Sequence, residues 1–115
     1  MKTLNKVELI GYVSNPEVLD LKNGGKMFRC SLATHENFKT RTGDWQSETT
    51  WHNIVIWNDF AKKAATELTK GCRIHLNGKI VVDQFTDKEG KKRTAVKIQA
   101  QDYQIVVEEE VEKAS

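Results

Sequence analysis

The sequence predicts an all-β domain, a small five-stranded barrel with a single helix between its third and fourth strands. Three observations predict it. Apolar and polar residues alternate along five separate segments, which is the period of a strand. Clusters of Asn, Gly, Asp and Thr punctuate those segments. Residues 58–71 alone switch to a helical period.

The first segment, Leu4–Val13, has strand composition and is broken by Ser14-Asn15-Pro16. Val18–Leu21 resumes an extended pattern, and Asn23-Gly24-Gly25 offers the positive φ angles of a tight turn. Met27–Thr34 reads as the second strand, with Phe28, Cys30 and Leu32 directed inward. Thr42-Gly43-Asp44 marks a loop, and residues 47–57 form the third strand. Asn58 or Asp59 is placed to cap a helix in which Phe60, Ala64 and Leu68 recur on one face, with Lys70 in its last turn and Gly71 as the stop. Arg73–Phe85 and Lys92–Val107 are the last two strands, joined by Asp87-Lys88-Glu89-Gly90. Strand, strand, strand, helix, strand, strand is the plan of an OB-fold, a partly open five-stranded Greek-key barrel that commonly binds oligonucleotides or oligosaccharides.

With 115 residues and 38% hydrophobic content, the chain has room for one domain with one modest core. That domain is expected over residues 1–107, with residues 108–115 as a short acidic end. No apolar run approaches the roughly 20 residues of a membrane span. The start, MKTLNKVELIGYV, lacks the pattern of a secretory signal, so a cytoplasmic protein is expected. Cys30 and Cys72 match no metal or redox spacing and read as small apolar fillers. The net charge of +2 conceals an asymmetry, because Glu108, Glu109, Glu110 and Glu112 face only Lys113. Residues 1–107 hold seventeen basic and twelve acidic side chains, a balance that suits a polyanion partner.

The stretch TTWHNIVIW carries the most information. In a strand, His52, Ile54 and Ile56 share one face, and Trp51, Asn53, Val55 and Trp57 share the other. The isoleucines are the better core set, with His52 at the rim or partnered. Trp51 and Trp57 then point outward, about 20 Å apart. Phe38 and Phe85 stand at strand-to-loop junctions. Lys39 and Arg41 lie beside Phe38, and Lys88, Lys91, Lys92 and Arg93 lie across the hairpin from Phe85. Flat rings with cations between them suit an unpaired nucleic-acid strand, since every base presents a π-face and every nucleotide a phosphate. Aromatics on strands also serve as core or cross-strand packing, or as a protein interface, and the pattern alone leaves these open.

Several stretches taken together carry a resemblance: LNKVELIGYV, NPEV, FRCSLAT, TTWHNIVIW, the helix Phe60–Leu68 followed by Lys70-Gly71, IHLNGKI and FTDKEGKKRT. In that order and spacing, across roughly residues 4–106, the chain resembles the bacterial single-stranded DNA-binding protein (SSB) family. The resemblance implies sequence-tolerant binding and protection of single-stranded DNA during replication, recombination and repair, in the cytoplasm and on the nucleoid. It implies a homotetramer first and a dimer second, with Lys6–Val13 at a dimer contact and His52 near subunit contacts. Stacking falls on Phe38, Trp51, Trp57 and Phe85. Lys6, Arg41, Lys70 and Arg93 fall on phosphate-contacting positions, to which the pattern adds Lys39 and Lys88.

Asn53, Asp83, Asp59 and Leu19 stand where the family often has basic residues, which predicts fewer phosphate contacts. The family's acidic, hydrophobic-tipped tail has no counterpart in Glu-Lys-Ala-Ser, which leaves recruitment of replication and repair proteins open. Catalysis is not expected either, and no cofactor or metal: His35, His52 and His75 lie in separate strands, and no phosphate loop or carboxylate pair is present. The competing reading is a short primosomal-type OB adaptor acting mainly through protein contacts, against which the four aromatics count. A cold-shock type of RNA binding would need a cluster of Phe on adjacent strands that this chain lacks.

Overall fold

Alternation in the sequence becomes a closed barrel in the computed structural model, which describes residues 2–106. The acidic end expected at residues 108–115 lies outside the described residues. The elements are β1 (Val7–Asp20), β2 (Lys26–Lys39), β3 (Trp45–Trp57), α1 (Asn58–Glu67), β4 (Arg73–Thr86) and β5 (Lys92–Ile105). Their order around the barrel is β1-β2-β3-β5-β4, with β1 pairing to β4 to complete the ring. The sequence led us to expect a partly open barrel. Closure comes from a short parallel contact, Ile54 opposite Ile98 and Val55 opposite Gln99.

One strand serves both halves of the ring. Val7–Tyr12 of β1 pair with β4, and Tyr12–Asp20 pair with β2. The expected break at Ser14-Asn15-Pro16 is instead a bulge within a continuous strand, with Asn15 at a φ of 52°. Pro16 has no N–H to give to a ladder, so the register shifts there while the strand continues. Two glycines permit the tight curvature. A Cβ at Gly11 would overlap the carbonyl oxygen of Ala33, and one at Gly78 would overlap that of Gln99.

Inward-facing residues make the core as their parity dictates. Phe28, Cys30 and Leu32 of β2 meet Ile54 and Ile56 of β3, with Ile74 and Leu76 from β4 and Val13 from β1. Burial pushes the Cys30 thiol up to about 12, and the nearby Cys72 adds to the rise. Both cysteines are free.

Helix α1 closes the core with Ala61, Ala64 and the following Leu68. Phe60 stacks on Tyr103 at 5.1 Å, and the Tyr103 hydroxyl donates to Glu67 at 3.0 Å. The helix ends differ from expectation. Trp57, not Asn58 or Asp59, is the N-terminal flanking residue, and no side chain caps the helix. Asn58 takes a positive φ of 57°, the sharp corner by which β3 turns into the helix. Lys70 and Gly71 lie beyond the last helical residue, in a turn where Cys72 N–H donates to Thr69 at 3.1 Å. Gly71, at φ 91°, donates to Val13 at 2.7 Å and ties that turn to the barrel. No helix among the described residues is long and apolar enough to cross a membrane.

The β2–β3 hairpin outgrows the sequence-based bounds. β2 runs on to Lys39 and β3 begins at Trp45, with thirteen paired positions from Met27 opposite Trp57 to Lys39 opposite Trp45. From His35 to Thr50 no residue is buried, so this part is a two-stranded ribbon projecting from the barrel. Gly43, at φ 88°, makes its tip, with Thr40 N–H donating to Asp44 at 2.8 Å. The β4–β5 hairpin ends on Asp87, whose Oδ1 accepts the N–H groups of Glu89 and Lys91, each at 2.9 Å.

Candidate nucleic-acid interface

Ladder register decides which side chains share a surface, because directly paired residues project to the same side. Along β3, residues 51, 53, 55 and 57 face outward, and their partners on β2 are Ala33, Ser31, Arg29 and Met27. Through the pair Val55–Gln99 this outer face continues onto β5 and, through Lys97–Val81 and Arg93–Phe85, onto β4. Trp51, Trp57 and Phe85 therefore lie on one continuous outer face. They are 59%, 39% and 51% exposed.

Between the two tryptophans the face sinks into an open trough of about 350 Å³. Asn53 and Val55 of β3 line it with Met27, Arg29 and Ser31 of β2, Asn15 and Glu17 of β1, and Lys97 of β5. Val55 shares the tryptophan face yet is buried, as part of this trough. Ala33 is also an outward residue and buried, flanked in the ladders by Tyr12 on one side and Trp51 on the other.

Three cations of this face are held by carboxylates. Arg29 pairs with Glu17 at 2.8 Å, Lys97 with Asp83 at 3.2 Å, and Arg93 with Asp87 at 2.8 Å. The Arg93 hydrogen bond, with those from the Lys91 and Glu89 amides, holds the Asp87 carboxyl below its ordinary value.

The other residues singled out in the sequence are dispersed. Phe38 is 42% exposed, but it pairs with Gln46 and so lies on the opposite face of the ribbon from Trp51. Lys39 and Arg41 stand at the ribbon's end, and Lys88 at the tip of the β4–β5 hairpin. Lys6 precedes β1, next to Asn5, which is bonded to Ile80. Lys70 sits in the turn after α1, in no ladder pair with an aromatic. The three histidines are apart, each with its own partner: His52 with Thr34 at 3.0 Å, His35 with Thr49 at 2.9 Å, His75 with Glu8 at 2.7 Å. Among the described residues no group of three or more His, Cys, Asp or Glu is gathered to hold a metal ion.

Three residues of this surface escaped the sequence reading. Arg29 and Lys97 line the trough, and Trp45, 72% exposed, lies on the outer parity of β3. A signal for Trp45 was present: positions 45, 51 and 57 are separated by even steps, so one strand carrying all three puts them on one side.

The sequence pattern of the single-strand binding protein family matches residues 4–106. The chain belongs to that family. Among its SSB relatives, Single-stranded DNA-binding protein 1 of Chlorobaculum tepidum is 36% identical over 105 residues, covering 90% of this chain and 65% of the relative. The mitochondrial single-stranded DNA-binding protein of Drosophila melanogaster is 34% identical, covering 88% of this chain and 70% of its own length. The chain thus spans between about three fifths and four fifths of the curated SSB relatives it matches. Among solved structures, the Plasmodium falciparum SSB in complex with ssDNA superposes with a TM-score of 0.83 at 28% identity, covering 93% of this chain and 98% of that one. The single-stranded DNA binding protein of Thermus aquaticus shares the fold, with a TM-score of 0.78 at 24% identity, over 90% of this chain and 51% of that one.

Proposed function

We propose that this SSB-family domain binds single-stranded DNA without sequence preference and protects it during replication, recombination and repair. The observation that carries the reading is the pair of exposed tryptophans, Trp51 and Trp57, bracketing an open trough whose cations are Arg29 and Lys97. Bases stack on the rings, and phosphates are drawn to the cations with release of counterions. A duplex conceals its base faces and finds no equivalent grip. The chain holds and positions the strand and performs no reaction on it.

Phe85 extends the same face toward Arg93 and Lys88. Phe38, Lys39 and Arg41 belong to the ribbon, and Lys6 and Lys70 give charge at the periphery. A homotetramer is the assembly in which several such sites hold one long strand. The SSB of Plasmodium falciparum, similar over nearly the whole chain, was solved with ssDNA, which supports the reading.

Tryptophan fluorescence during titration with oligothymidylate is the test. Emission is expected to quench on binding, to recover as salt is raised, and to change little with matched duplex. Unchanged emission at low salt would defeat the proposal and favour an adaptor that works through protein contacts.

A further inference from the structure

We propose that the β2–β3 ribbon carries the bound strand beyond the barrel, with Trp45 as a third stacking ring on the track begun by Trp57 and Trp51. The inference rests on the single-stranded DNA reading above and adds to it a direction and a length.

Trp45 does little for folding. It is 72% exposed, the most of the exposed aromatic rings, on a ribbon with no buried residue between His35 and Thr50. Such a segment is held by its ladder and cross-strand pairs, and a large ring left in water at its end gives almost no burial in return. Its position is nevertheless regular. Trp57, Trp51 and Trp45 follow each other at six-residue intervals on one parity of one strand, steps of about 20 Å each.

The surface between Trp51 and Trp45 is narrow and polar. It consists of the outward pairs His35–Thr49 and Asn37–Ser47, with no carboxylate among them. Lys39 lies directly opposite Trp45, and Arg41 follows at the tip. A ring beside a lysine, at the far end of a polar hydrogen-bonding strip that leads out of the trough, repeats the chemistry found at the trough itself. Lys39 and Arg41 also have no carboxylate within ion-pair distance among the described residues, unlike Arg29, Lys97 and Arg93. Phe38 occupies the other face of the ribbon and does not interrupt the track.

The experiment compares oligothymidylates of about 6 and about 16 nucleotides, both within the range an OB-fold holds. Trp45→Ala is expected to leave affinity for the short oligomer unchanged and to weaken the long one on the order of 5- to 100-fold. Trp51→Ala should weaken both. In a Trp51→Phe, Trp57→Phe double variant, which keeps two stacking rings, Trp45 alone reports. Its emission should quench with the long oligomer and not with the short one. Both results are required: equal weakening at the two lengths, no weakening of the long oligomer, or a silent Trp45 each overturns the extension while leaving the trough reading intact. Wild-type protein that binds neither oligomer removes the underlying reading, and the extension with it.

Discussion

Arg29 and Glu17 form a two-point ion pair within the trough: Nε donates to Oε2 at 2.9 Å, and Nη2 lies 2.8 Å from the same oxygen. A phosphate approaching Arg29 must compete with that carboxylate. Half-exposed pairs of this kind are worth about 0.2–1 kcal/mol. Glu17→Gln is therefore expected to tighten single-stranded DNA binding by roughly 1.5- to 5-fold. It also adds a cation able to release a counterion, which steepens the log-affinity against log-salt slope by about 0.7. Titrations at several salt concentrations measure both. Asp102→Asn on β5, which is in no ion pair among the described residues and does not line the trough, controls for net charge and should leave the slope unchanged.

Trp51→Ala and Trp57→Ala separate binding from folding. Both rings are exposed, so truncation removes little burial and should shift the melting temperature by no more than a degree or two, in keeping with a surface substitution. Each should cost about 1–3 kcal/mol of binding to oligothymidylate. Melting and filter binding on the same samples give the comparison. A large loss of stability with little change in binding would mean that the rings hold the fold together.

The architecture was legible in the sequence because each strand's parity is written in its own residues. Phe28, Cys30 and Leu32, or Ile54 and Ile56, can face only one way if the core is to be filled. Arg29, Lys97 and the facing of Phe38 escaped because they depend on pairing between distant segments. Arg29 reads as an ordinary strand arginine until the ladder sets it opposite Val55 and beside Lys97. Phe38 looked equivalent to Trp51 because nothing local distinguishes even from odd positions across a hairpin; the register with Gln46 does. The helix start was misplaced for another reason. Asn58 is a good capping residue, and the chain uses it at positive φ to turn a corner, a role Asn also tolerates.

Asn5 extends a ladder with its side chain. Its Oδ1 accepts the Ile80 N–H at 2.9 Å, and its Nδ2 donates to the Ile80 carbonyl at 2.8 Å, one step beyond the last β1–β4 pair, Val7–Gly78. Asn5→Ala is expected to cost about 1 kcal/mol, since two exposed hydrogen bonds are replaced by bonds to water. The Ile80 amide should lose protection in hydrogen exchange, while the amides of β2 keep theirs. A uniform loss across the barrel would show instead that the segment is part of the global folding unit.

Gly11 and Gly78 test the curvature of the barrel. Each passes so close to a neighbouring carbonyl, of Ala33 and Gln99 respectively, that a methyl group has no room. The obstacle is backbone and cannot rotate away. Gly11→Ala and Gly78→Ala should each destabilise the protein by about 1–3 kcal/mol or more. Urea unfolding measures this, and Gly24→Ala makes the contrast. Gly24 has open space around it, so any cost there comes only from its φ of 85°.

Asp87 links acid stability to the proposed binding face. Its Oδ2 accepts from Arg93 at 2.8 Å, while its Oδ1 organises the hairpin turn. These bonds favour the charged carboxylate, so its pKa in the folded protein lies below the ordinary 3.8. The unfolded chain takes up this proton first as pH falls. The stabilisation is therefore complete above that ordinary value and is lost as pH falls through the lower, folded one. Asp87→Asn keeps an oxygen for the two turn amides and removes the charge. Denaturation midpoints of wild type and variant should then differ at pH 7 and converge as pH falls through the lowered, folded value. At neutral pH the variant also releases Arg93, which faces the same side as Phe85, and should bind oligothymidylate more tightly with a steeper salt dependence. If the midpoints kept their separation into strong acid, Asp87 would act through turn geometry alone, and Arg93 would gain nothing from its removal.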